Sequence, residues 1–196
     1  MQDISTISYD GLELSLKDTF SREALAYIVD SGPKNIMPIT TSVSSETKRG
    51  ITATYDLEKG TITLNGTHDG NGDANFYLYV GNAADQKEIP AGSYHLSGCP
   101  EGGDTTTYCL IVNYVGGSPT YKVDSGSGLD FTISATGRMV PYIRIRKPDG
   151  QTVSFTNAVF RPMICDKAAW EISKKHVPYK PSNQELYEMI KALQNQ

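Results

Sequence analysis

The chain of 196 residues carries 18 Lys and Arg against 22 Asp and Glu, a formal net charge of -4. Such a length fits one domain with extensions and can bury a core without disulfide staples. The acidic balance, with no basic run longer than the pairs Lys48-Arg49 and Lys174-Lys175, argues against nucleic acid and anionic membrane as partners.

The first stretch, MQDISTISYDGLELSLKD, has neither a basic start nor an apolar run of signal-peptide length, and no later run approaches a membrane span. A soluble protein made in the cytoplasm, with no membrane insertion, is therefore expected. In SREALAYIVDSGPKN, Ser21 can cap a helix, Phe20 and Leu25 have hydrophobic-staple spacing, and Gly32-Pro33 supply a stop. A short helix is predicted over about 21–31, inside an N-terminal segment of residues 1–33. Its apolar positions, Leu25, Tyr27, Ile28 and Val29, are too few to hold it alone, so it must dock on a larger body.

From Ile51 to Ile164 the hydrophobic period is two. Strands are predicted at 51–56, 61–66, 75–80, 92–98, 106–115, 129–134, 140–146 and 153–164. Between them stand EKG, DGNGD, PAG, CPEGGD, GGSP, DSGSG and KPDG, the Gly, Pro, Asp and Asn clusters that make tight turns. Short strands with no helix between them predict a mostly β domain over 34–168, an antiparallel β-sandwich of jelly-roll type. An exit segment, 169–196, follows. Trp170 in DKAAWEIS is expected to pin that segment onto the sandwich. Pro181, Ser182 and Glu185 then start a C-terminal helix, on which Leu186, Met189, Ile190 and Leu193 form an apolar seam. Such a seam needs a cover, which either the sandwich or a neighbouring copy in a homo-oligomer would supply.

Motifs for catalysis are missing. The chain has no G-x-S-x-G, no H-E-x-x-H and no phosphate loop, and His68, His95 and His176 fall in different elements. Gly70, Gly72 and Asn75 imitate a dinucleotide loop but lead into a strand rather than a helix. No enzymatic activity and no cofactor are expected. Cys99, Cys109 and Cys165 cannot all pair in one chain and lack metal-ligand spacing, so free structural thiols are predicted. Asp69, Asn71 and Asp73 alternate as the first ligands of a calcium loop do. However, Ala74 stands where that loop needs Gly, Val80 where it needs Glu, and strands replace the flanking helices. The prediction is a turn without metal, with a calcium ion as the alternative.

The composition favours tyrosine, 12 against five Phe and one Trp. In NFYLYV, Phe76, Leu78 and Val80 would face the core while Tyr77 and Tyr79 share the other face. In VPYIRIR, Ile143 and Ile145 would turn inward and leave Tyr142, Arg144 and Arg146 outside; His95 joins this face if Tyr94 and Leu96 point in. Rings that stack on sugar C–H faces beside Arg donors for the hydroxyls make these residues the predicted carbohydrate contacts. A protein partner is served equally by such a face, and Tyr is also simply a good strand residue.

The segments GPKNIMPIT (32–40), GTITLNGTHDGN (60–71), IPAGSYHLSGCPEGG (89–103), TNAVFRPMI (156–164) and VPYKPSNQEL (177–186) together resemble a jelly-roll module of phage and prophage tail, baseplate and fibre-associated proteins. The resemblance implies a sandwich similar to carbohydrate-binding modules and galactose-binding-like domains. It also implies a non-catalytic virion-tail accessory, a homo-oligomer with a trimer favoured, with other virion proteins and a cell-surface glycan as partners. Two alternatives stand beside it, a purely structural oligomeric assembly module and a free-standing carbohydrate-binding domain.

Overall fold

A computed structural model describes residues 6–9, 12–15, 34–39, 43–70, 72–79, 87–115 and 120–179. Strands β1 (Thr6–Tyr9) and β2 (Leu12–Ser15) form an antiparallel hairpin. A four-stranded sheet follows the order β13 (Ser154–Phe160), β5 (Thr61–Thr67), β4 (Ile51–Asp56), β3 (Ser45–Lys48). A five-stranded sheet runs β10 (Thr120–Asp124), β9 (Tyr108–Val115), β12 (Gly137–Ile145), β6 (Ala74–Tyr77), with β7 (Glu88–Ile89) also on β12. The third large sheet is β11 (Leu129–Ile133), β8 (Gly92–Ser97), β14 (Met163–Asp166). Every pairing is antiparallel. The protein is mostly β, in several antiparallel sheets, with one short helix, α1 (Lys167–Ser173), among the described residues.

Strands β4, β5, β8, β9, β11 and β12 form where the alternation predicts strands, because each has an apolar face to bury. β4 buries Ile51, Ala53 and Tyr55; β12 buries Met139, Ile143 and Ile145. These residues join Phe76, Leu110 and Val112 from the five-stranded sheet, Leu96, Phe131 and Ile164 from the three-stranded sheet, and Ile62, Leu64 and Phe160 from the four-stranded sheet in one apolar cluster. Each Val, Leu, Ile, Phe or Met among them contributes about 1.5–3 kcal/mol by leaving water.

The segment 153–164, expected as one strand, is two. Pro162 has no N–H to give a ladder, so pairing with β5 stops at Phe160 and resumes at Met163 against β8. At the hand-over, the Arg161 N–H donates to the Gly98 carbonyl at 2.8 Å. Gly98 sits at φ +122°, and a Cβ there would lie 2.0 Å from the Arg161 carbonyl oxygen, so only glycine fits.

Asn35, from the GPKN segment, is buried against this hand-over. Its amide donates to the Pro162 carbonyl at 2.9 Å and accepts from Met37 and Ile164 N–H at 2.9 and 3.2 Å. The segment 35–37 is thereby tied to residues 162–164. Helix α1 starts where the Asp166 carboxylate accepts from Ala168 and Ala169 N–H. It ends at Lys174, in the left-handed conformation at φ 49°. β1, β2, β3, β7, β10 and α1 are elements beyond those predicted. The helix expected over 21–31 and the seam Leu186, Met189, Ile190 and Leu193 lie outside the described residues, as do Asn71 and Val80. Cys99, Cys109 and Cys165 are free and buried.

Candidate functional site

Phe76, Leu110, Val112 and Ile143 belong to the core side of the five-stranded sheet, so period two puts Tyr77, Ile111, Asn113 and Tyr142 on its other side. Register assembles these into rows. Tyr142 stands opposite Tyr77 on β6 and Ile111 on β9; Asn113 stands between Val140 and Tyr121; Arg144 stands between Asn75 and Cys109. The Tyr77 and Tyr142 rings meet at 5.3 Å between centroids, tilted by 40°. Tyr77 and Tyr121 are exposed, at 45% and 60%, while Ile111 between them is buried. Burial raises the Tyr142 phenol above its ordinary range, with Arg144 opposing and Tyr121 and Tyr77 reinforcing the shift. At this face's edge, the Lys48 ammonium lies 6.0 Å from the Tyr77 ring centroid and donates to the Asn75 carbonyl at 2.9 Å.

Three polar atoms on this face, Asn75 Oδ1, Asn113 Oδ1 and Arg144 Nε, are buried without a hydrogen-bond partner among the described residues. Buried polar atoms are ordinarily paired, and each orphan costs about 1–3 kcal/mol. Arg144 is held in place by its Nη2, which donates to the Thr105 carbonyl at 3.0 Å and contacts Cys109 Sγ at 3.7 Å. An acceptor from Asn75 and a donor from Arg144 thus stand on paired positions of adjacent strands, beside two tyrosine rings.

Of the residues expected on this face, Tyr77, Tyr142 and Arg144 come together. Tyr79 lies beyond the end of β6, half-buried. Arg146 follows β12, and its guanidinium grips both carboxylate oxygens of Asp73 at 2.9 and 2.8 Å. Asp73 therefore serves as an anchor for the loop after β5. The Arg146 bond holds the Asp73 carboxyl below its ordinary range. A depressed folded pKa means that the stabilisation is present at neutral pH and is lost as pH falls through that lowered value. Both groups are partly exposed, so Asp73→Asn is expected to cost less than about 1 kcal/mol at pH 7. Urea midpoints measured down the acid limb should show the gap between variant and parent closing; a gap that stays constant would show that the pair contributes nothing. Among the described residues no group of three His, Cys, Asp or Glu side chains gathers as metal ligands would.

His95 departs from expectation. Tyr94 and Leu96 do point into the core, but β8 belongs to the three-stranded sheet, so His95 cannot join the tyrosine face. His95 is 7% exposed, and its ring lies under Trp170 at 4.2 Å in a parallel stack and bonds the Asp130 carboxylate at 2.7 Å. Lys167 reaches the same carboxylate at 2.8 Å. Trp170 thus pins α1 to the sheet, as its position in DKAAWEIS led one to expect. Asp130, His95 and Cys165 stand opposite one another on three adjacent strands, an order that superficially resembles a nucleophilic triad. Cys165 is fully buried, however, and burial together with Asp166 pushes its thiol up to about 12. This row presents no thiolate and no access.

Among the described residues, the outer face of the five-stranded sheet combines exposed rings with unpaired polar groups. Comparison of the chain with protein-family models, curated proteins and solved structures finds no match. Tyr121, Asn75 and Asn113 were not among the residues predicted for this face. TYKVD sits between two Gly/Ser clusters and becomes a strand through its pairing with β9. Asn75 and Asn113 carry a usable signal, being polar residues at the outward positions of otherwise apolar runs.

Proposed function

We propose that the chain is a non-catalytic carbohydrate-contacting module serving as an accessory of a phage or prophage tail, with the outer face of its five-stranded sheet as the contact. The observation that carries this reading is the grouping of Tyr77, Tyr121 and Tyr142 around Asn75 Oδ1, Asn113 Oδ1 and Arg144 Nε, which lack partners among the described residues. A pyranose supplies both halves of that chemistry, C–H faces for the rings and hydroxyls that donate to the amides and accept from the guanidinium. A protein side chain rarely offers so many hydroxyls over so small an area. The fold that suits this reading is a two-layer jelly-roll sandwich. The five-stranded sheet would be one layer, and the four- and three-stranded sheets, joined where β13 hands over to β14, the other. The tail setting is what the sequence segments resembling phage modules imply, and an oligomer built through the C-terminal seam belongs to the same reading.

The test is retention on an array of bacterial cell-wall and capsular polysaccharides, followed by titration of the strongest one. Tyr142→Ala is expected to weaken binding at least tenfold, about 1.4 kcal/mol, through loss of stacking and of the floor's cover. Asn113→Ala should weaken it less. Retention unchanged by Tyr142→Ala would remove the sheet face from the reading, and no retention of any polysaccharide would favour a protein contact instead.

A further inference from the structure

A cavity lies beside Trp170, and none of the tyrosine-face residues lines it. It has a volume of about 290 Å³, near the lower end of small-molecule pockets, which run from about 300 Å³ upward. Three elements converge on it: the end of β13 with Val159 and Arg161, the exit from β8 with Cys99, and α1 with its return segment, which bring Trp170, Lys174 and His176. The return is built by the left-handed Lys174, whose N–H donates to the Trp170 carbonyl at 2.8 Å, and by the Val177 N–H, 3.2 Å from Met163 Sδ.

The cavity is polarised. The Arg161 side chain has no carboxylate partner among the described residues, while Lys174 meets only Glu171, at 3.3 Å, with both side chains more than half exposed. His176 Nε2 is buried without a hydrogen-bond partner among the described residues. Burial, and secondarily Arg161, lower the pKa of His176 and keep its imidazole neutral at pH 7. Trp170 and Val159 add apolar wall. A locally cationic recess in a chain of net charge -4 is a specific feature of this corner.

We infer that this cavity binds the oxyanion of a compact organic ligand, a carboxylate or a phosphate, held by Arg161 and Lys174 with a hydrogen bond from His176. The planar guanidinium fork matches either oxyanion in two-point contact, and the tryptophan offers a surface for the remainder of the ligand. The two sources of such a group are an acidic sugar and a phosphate ester.

Trp170 is the only tryptophan in the chain, so its fluorescence reports on this cavity. The full chain is titrated with D-glucuronate, with inorganic phosphate and with neutral D-glucose. A saturable change with glucuronate alone, phosphate alone or both supports the site and identifies its anion, provided that glucose has no effect. Arg161→Ala, at an exposed position, should weaken the response at least tenfold, as loss of a charge-assisted hydrogen bond requires. Lys174→Glu should weaken it as well, and Tyr142→Ala should leave it unchanged, which separates this cavity from the sheet face. A flat titration with both anions, an equal response to glucose, or full binding by Arg161→Ala would overturn the inference.

Discussion

Asp124→Ala is expected to lower the unfolding free energy by about 3–5 kcal/mol, a large share of the 5–15 kcal/mol typical of a domain. Asp124 is 1% exposed, and its carboxylate accepts three backbone N–H groups at 2.8 Å: Cys99 with one oxygen, Gly126 and Gly128 with the other. The first of these crosses from the end of β10 to the exit of β8; the other two shape the turn DSGSG into β11. Truncation would strand all three donors together. Gly128 adds to the cost of any rearrangement, because a Cβ there would lie 2.8 Å from the His95 ring, which leaves the turn no room to slide inward. Asp124→Asn keeps one acceptor oxygen and should lose roughly half as much. Chemical denaturation reads this as a lower midpoint at unchanged slope. A loss below about 1 kcal/mol for the alanine variant would mean that water replaces the carboxylate, and the turn would not be the structural joint described above.

The second large effect is expected at Asn35. Asn35→Ala removes a buried amide that makes three hydrogen bonds to Met37, Pro162 and Ile164, and should cost about 2–4 kcal/mol. The consequence is local before it is global. Ile36 N–H pairs with the Ile164 carbonyl at 2.8 Å beside this amide, so the segment 34–39 should lose its attachment to β14 first. Hydrogen exchange would show protection falling at Ile36 and Ile164 well before the amides of β9 and β12. Asn35→Asp is no rescue: it keeps the acceptor but turns the donor facing the Pro162 carbonyl into an anion, and should lose about as much at neutral pH. Uniform loss of protection across all sheets would show that the clasp has no separate unfolding step.

Both joints connect residues distant in sequence, and that marks the boundary of what the chain reveals by itself. Period two placed Phe76, Leu78, Ile143 and Ile145 inward and Tyr77 and Tyr142 outward, because facing is a property of each strand alone. It also located β4, β5, β8 and β11 within a residue or so, since Gly, Pro and Asp clusters end strands locally. What periodicity does not carry is which strands become neighbours. His95 obeyed the alternation, yet pairing put it in a different sheet from Tyr142 and α1 covered it with Trp170. Arg146 and Asp73 are 73 positions apart, so neither the exposed Arg nor the calcium-like loop announced that each was the other's partner. Tyr121 joined the aromatic face only because β10 pairs with β9. Strand direction and side-chain facing follow from local sterics and the burial of one face; sheet membership, and with it the composition of any site, follows from long-range pairing that only the folded chain decides.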